Sequence, residues 1–184
     1  RLTAHLGTAI LVFLYMLWTV FALLERTAPQ IVSPVFRRAV IGLGILSSVT
    51  VLSGGFVAGL KAGHAFNTFP LMAGKLIPPG YAVLTPAWRN FFENIPTVQF
   101  NHRLLAIATL LLTLIFVFRV LRHPKFQAQR LIAVFLGLAV VGQVTLGITT
   151  LLFQVPVFLA AVHQGMAILV LSAMLYAVFR FRRV

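Results

Sequence analysis

Three histidines, His5, His102 and His163, stand near the ends of long apolar stretches in a chain of 184 residues. Neutral imidazole is the commonest protein metal ligand, and a polar ring inside hydrocarbon needs a reason to be there. Two of the three open the same phrase: His-Leu-Gly-Thr-Ala-Ile-Leu-Val at 5–12 and His-Gln-Gly-Met-Ala-Ile-Leu-Val at 163–170. Six of eight positions match, 158 residues apart. This is the trace of an internal repeat centred on a histidine. An imidazole on one face of a membrane helix, with glycine two residues on, suits a flat haem pressed against the helix. Gly165 would let the porphyrin approach the backbone.

The elements that must position these rings follow from composition. Hydrophobic residues make up 60% of the chain and charged ones 9%, against about 25% charged in a soluble domain. The expected fold is all-α, an integral membrane helical bundle. A span needs ~20 apolar residues, and five stretches qualify, approximately 4–24, 39–60, 102–121, 131–153 and 157–179. Pro29 and Pro34, His123-Pro124, and Gln154-Val155-Pro156 punctuate them, Pro156 being suited to a helix start. There are no cysteines, so thiolate ligation, disulfides and iron–sulfur clusters are excluded within the chain. The net charge of +13 would suggest nucleic acid in a soluble protein. Here the basic residues lie at helix ends, so the partner is the lipid bilayer and not nucleic acid.

Charge asymmetry gives an orientation. The 25–38 loop (Arg26, Arg37, Arg38), the 119–130 turn (Arg119, Arg122, Lys125, Arg130) and the C-terminus (Arg180, Arg182, Arg183) carry ten basic residues; the other side carries five, Arg1, Lys61, Lys75, Arg89 and Arg103. The positive-inside rule puts the ten in the cytoplasm, the N-terminus outside and the C-terminus inside. All three histidines then lie toward the outer surface. His102 opens the third span and His163 sits ~9 Å into the fifth, at 1.5 Å per residue. Two helices running the same way present two imidazoles to one ligand. The outer loop, 61–101, is rich in aromatic residues (Phe66, Phe69, Tyr81, Trp88, Phe91, Phe92, Phe100), as at a membrane interface. Thr85-Pro86 predicts an N-cap and first helical residue of a short helix over 86–93.

His102 and His163 are therefore read as the two axial ligands of one haem iron. Copper or zinc fits less well, since no third ligand or carboxylate cluster is evident. Arg103 follows His102 and suits a haem propionate, whereas Lys61 and Arg89 read nearly as well as snorkelling interfacial residues. His64 is a weaker candidate for a ligand edge, and His123 reads as solvated. Small residues on the second span (Ser53, Gly54, Gly55, Gly59, with Gly63 beyond it) and on the fourth (Gly142, Gly147) read as close helix packing, and Gln143 and Thr145 as helix–helix hydrogen bonding. His5 lacks a partner helix within the chain.

Several phrases resemble the haem A synthase family: Arg-Leu-Thr-Ala-His-Leu-Gly at 1–7, Gly-Gly-Phe-Val-Ala-Gly-Leu-Lys-Ala-Gly at 54–63, Asn-Thr-Phe-Pro at 67–70, Val-Gln-Phe-Asn-His-Arg at 98–103 and Leu-Ala-Ala-Val-His-Gln-Gly at 159–165. The resemblance implies eight membrane helices in two similar four-helix halves, each with a histidine pair. It divides the chain into the last helix of the first half (1–24), a cytoplasmic loop (25–38) and a complete second half (39–184). It further implies haem b on His102 and His163, and His5 as a ligand of the substrate, haem O. The family oxidises a haem O methyl to the formyl of haem A by successive hydroxylations, for cytochrome oxidase. The acidic residue important to that chemistry and the cysteine pair of some members have no counterpart here; neither Glu25 nor Glu93 takes the acid's place. His64 and Lys61 depart from the family, which usually has an apolar and often an acidic residue at those positions.

By the same resemblance the intact protein is an oxidoreductase of a bacterial inner membrane, or alternatively of a mitochondrial one. It would be a homo-oligomer with haem O synthase or oxidase assembly factors as possible partners, and this segment alone would be inactive. A bis-histidine haem has no open coordination site, which suits electron transfer. The runner-up reading is a non-catalytic membrane b-type cytochrome. A transporter or structural subunit with incidental histidines is disfavoured by the histidine-centred repeat.

Overall fold

A computed structural model describes residues 1–24 and 33–181; the expectations for Glu25, Arg26, Pro29, Arg182 and Arg183 lie outside the described residues. Five long helices form: α1 (Leu2–Leu24), α2 (Pro34–Gly59), α4 (Ile95–Arg122), α5 (Arg130–Leu152) and α6 (Val157–Arg180), with a short α3 (Asn90–Glu93) in the long connection. Each of the five is long and apolar enough to cross a membrane. The protein is an all-α membrane bundle. α2, α4, α5 and α6 close a ring in which each packs on two neighbours: α2 on α4, α4 on α5, α5 on α6 and α6 on α2. α4 and α6, the two histidine helices, therefore occupy one diagonal. α1 lies outside the ring against α2 and α6.

Two boundaries differ from the sequence expectation, for local reasons. α2 starts at Pro34, which takes the first helical position where its missing N–H costs nothing, so Arg37 and Arg38 belong to the helix and not to a loop. α4 starts at Ile95, seven residues before His102. The Asn94 side chain caps it by accepting the Thr97 N–H at 3.1 Å, and Pro96 sits in its first turn. His102 thus does not open the span but lies two turns inside it, ~10 Å along the axis, close to the depth of His163 in α6. The short helix expected over 86–93 is present as a 3-10 turn, Ala87–Arg89, running into α3; Pro86, not Thr85, is its cap residue, without a side-chain cap.

The ring is close-packed at one end only. A continuous buried cluster links Val40 and Leu43 of α2, Phe116, Val117 and Val120 of α4, Leu136 and Val140 of α5, and Met174 and Ala177 of α6. Phe36, Phe116, Phe126 and Phe181 close it with edge-on or tilted ring contacts at 4.6–6.2 Å. His123, expected to be solvated, is half-buried against this cluster. It stacks on Phe126 at 4.3 Å, edge-on to Phe36, and its Nδ1 accepts the Lys125 N–H. At the histidine end the packing stops: no residue of 48–54, 100–108, 141–149 or 157–166 is fully buried.

The two connections at that end are built differently. The α5–α6 turn reverses the chain through Gln154 (φ 62°) and Val155 (φ 60°). A β-branched residue there is strained, and such strain of ~1–3 kcal/mol persists only when neighbours fix it. Val155 N–H donates to Thr150 O at 2.8 Å. A Cβ on Gly63 would come within 2.9 Å of Val155 Cγ2, so the long loop wedges against this turn. The 60–94 connection is held by asparagines: Asn94 donates to Gly80 O and Asn90 Oδ1, and Asn90 donates to Leu84 O and Ala87 O, all at 2.9–3.0 Å. Asn94→Ala removes the cap of α4 and two loop bonds together. The expected result is a loss of about 1–2 kcal/mol in denaturant unfolding, with faster amide exchange over 78–98.

Candidate functional site

The two ring histidines are seated by the same device. A Cβ added to Gly54 of α2 would meet the His102 ring at Cε1 3.1 Å, Nδ1 3.7 Å and Nε2 3.7 Å; one added to Gly147 of α5 would meet the His163 ring at 2.9, 3.5 and 3.5 Å. In each case the Cε1 edge faces a glycine on the helix preceding the histidine in the ring, with both nitrogens equally far from it. Only glycine admits a ring this close. The small-residue stripes thus divide: Gly54 and Gly147 seat the histidines, while Gly55 receives Leu6 and Thr3 of α1, and Gly142 receives Met166.

His102 is fixed further. Ser53 Oγ lies 2.8 Å from His102 Nδ1 and 2.7 Å from Thr50 O. A carbonyl only accepts, so the single serine proton goes to Thr50 O, and Ser53 Oγ accepts from His102 Nδ1–H. That tautomer leaves Nε2 with a free lone pair, the form a metal requires. The ring is half-buried. His163 stands on α6, across the diagonal from α4. Its Nδ1 is buried without a hydrogen-bond partner, as is Gln143 Oε1; Gln143 was expected to bond between helices. Below the site, Thr50 and Thr109 join α2 to α4 through a hydroxyl pair at 2.9 Å.

Arg103 is committed to the loop. Its two terminal nitrogens donate to Thr68 O at 2.7 Å and Phe66 O at 2.8 Å, and its Nε is buried without a partner. Gln99 Nε2 donates to the same Phe66 carbonyl at 3.0 Å, and Asn67 ties the loop to Leu151 O of α5, also at 3.0 Å. The 60–94 connection is therefore clamped to α4 and α5. Arg89 pairs with Glu93, its Nε donating to Oε2 at 2.9 Å; that hydrogen bond and charge raise its pKa above the ordinary value. His64 and Lys61 are exposed on a 3-10 turn.

Two candidates lie apart from the paired rings. Gly165 is exposed, with open space where a Cβ would go. It lies two residues after His163, about 200° around the helix, so it does not share that ring's face; Gly147 provides the close approach instead. His5 is exposed on α1 and remote from the ring interior, while Gly7 faces Leu52 of α2. Sequence reasoning read Ser53, Gly54 and Gly147 as helix packing and gave Gln99 no role of its own. A serine–glycine pair on a membrane helix carries no mark that separates ring seating from helix packing. Among the described residues no group of three or more His, Asp or Glu could hold a bare metal ion.

Paired imidazoles across a membrane bundle define a class, the helical proteins able to hold a planar metallocofactor between diagonal helices. Comparison with known proteins specifies it. The family described as cytochrome oxidase assembly protein (COX15-CtaA) matches residues 1–175. Haem A synthase of Nitrosospira multiformis is 43% identical over 186 residues, covering 100% of this chain and 52% of that protein. Haem A synthase COX15 of Homo sapiens is 39% identical over 187 residues, covering 100% and 46%. The chain belongs to the COX15-CtaA family of haem A synthases, and it spans about half the length of the relatives it matches.

Arg103→Ala releases both loop carbonyls at once. It is expected to speed amide exchange over 63–72 by at least 10-fold, the equivalent of about 1.4 kcal/mol, while leaving the 130–150 amides of α5 unchanged.

Proposed function

We propose that this chain binds one haem b between His102 and His163 and carries electrons for the conversion of haem O to haem A. The observation that carries the reading is the pair of matched histidine–glycine seats on the two sides of an uncrowded end of the bundle. The residues fit the group. Ser53 holds His102 in the ligand tautomer, two glycines leave room for upright rings, and the buried Nδ1 of His163 is the kind of orphan that ligation at the other ring nitrogen would orient. Bound by two imidazoles, the haem supplies a one-electron couple without an open coordination position.

The surrounding residues exclude water and hold the ligand's edge. The clamped 61–94 connection covers the histidine end, and Arg103, with its unpartnered Nε, is the cation nearest the rings for a propionate. In this reading 39–184 forms the electron-carrying half and 1–24 belongs to the half that binds haem O, where His5 ligates the substrate iron. The histidine end faces outward and the C-terminus the cytoplasm. By itself the segment takes up haem b and does not oxidise haem O. The oxidation of a methyl group requires proton movement, and the one carboxylate among the described residues, Glu93, is paired with Arg89.

His102→Ala and His163→Ala are each expected to abolish the low-spin b-type reduced-minus-oxidised spectrum while the helical circular dichroism persists. Gly147→Ala, which forces the His163 ring aside, is expected to lose more haem than Gly54→Ala. Full haem content in both histidine variants would refute the ligand assignment.

A further inference from the structure

The two histidine seats are near copies, which makes their one difference informative. Each ring rests its Cε1 edge on a glycine with the same three distances to within about 0.2 Å. Each is also approached by the backbone of the residue four before its glycine, Thr50 for His102 and Gln143 for His163. The residue one before the glycine is Ser53 in the first seat and Leu146 in the second. Ser53 accepts from the His102 Nδ1–H; Leu146 has nothing to accept with, and His163 Nδ1 is buried without a partner.

We infer that Ser53 is a positioning residue that makes His102 the fixed, strongly donating ligand and leaves His163 as the ligand that yields. The inference rests on the bis-histidine reading and deepens it. An N–H···O bond at the far nitrogen locks the ring and raises its basicity, and loss of such a partner typically weakens metal binding on the order of 10- to 100-fold. A more basic imidazole favours the ferric state over the ferrous. The chain therefore sets the potential of its electron carrier from one side, through one hydroxyl, and small ligands that displace an imidazole enter on the His163 side.

The test uses the purified protein loaded with haem b, comparing wild type with Ser53→Ala, Ser53→Thr, Leu146→Ser and His102→Ala. The readouts are the midpoint potential, the low-spin electron paramagnetic resonance signal and the rate of haem transfer to an apoprotein acceptor. Ser53→Ala is expected to raise the potential and speed haem loss on the order of 10-fold or more, with Ser53→Thr restoring both. Leu146→Ser, which offers His163 the missing acceptor, is expected to lower the potential and slow haem loss. Wild-type values in Ser53→Ala would overturn the inference. Should Ser53→Ala fail to fold, Leu146→Ser decides alone: unchanged potential and transfer rate overturn the inference, and a lowered potential supports it. A low-spin bis-histidine signal surviving in His102→Ala would instead bring down the ligand reading itself.

Discussion

The arrangement depends on one contact made twice, the edge of an imidazole against a glycine on the helix before it. In lipid no hydrophobic force drives helices together, so association rests on close packing and interhelical hydrogen bonds. A histidine on such an interface is too large for ordinary small-residue packing and too polar to face the acyl chains. Opposite a glycine it fits, with its Cε1 edge toward the facing helix and both nitrogens equally far from it. Gly54 and Gly147 thus bring the two rings to matching positions on α4 and α6, the helices of one diagonal.

The same contact is reached by two unlike routes, and the loops show what each costs. α5 and α6 are joined by a four-residue turn, 153–156, whose left-handed Gln154 and Val155 absorb the reversal in strained backbone. α2 and α4 are joined by 35 residues, 60–94, too many to fix register by turn geometry. Register is set instead by polar clamps: Asn94 and Asn90 at the start of α4, Arg103 and Gln99 on the Phe66 and Thr68 carbonyls, Asn67 on the end of α5. The wedge of Gly63 against Val155 joins the two systems, so the strained turn and the clamped loop support each other directly over the histidine end.

Much of this was legible in the sequence because its physics is coarse. Twenty apolar residues in a row read as a span whatever their neighbours do, and a histidine inside one stands out. What stayed hidden depended on angle. Asn94, Pro96, Gln99 and Asn101 gave the first two turns of α4 a loop-like composition, although the polar groups serve as cap and clamps. Gly165, two residues from His163, is 200° around the helix from it, with open space where a Cβ would go. Gly54 and Gly55 are consecutive letters with different duties, one toward His102 and the other toward α1, because 100° separates their faces. Arg103 read as a free cation because nothing in a sequence shows which carbonyls a folded loop will bring to it.

The placement of charge decides which polar groups the histidine end has to work with. The sequence holds two carboxylates, Glu25 and Glu93. Among the described residues the one carboxylate, Glu93, is paired with Arg89 in the connection ahead of α4. Around the two imidazoles the described polar groups are hydroxyls, amides and the Arg103 guanidinium. Such groups orient rings and hold loop carbonyls. α1 packs outside the ring, on α2 and α6 through Gly55 and Phe179, and leaves His5 exposed, so the two ring histidines are seated without it.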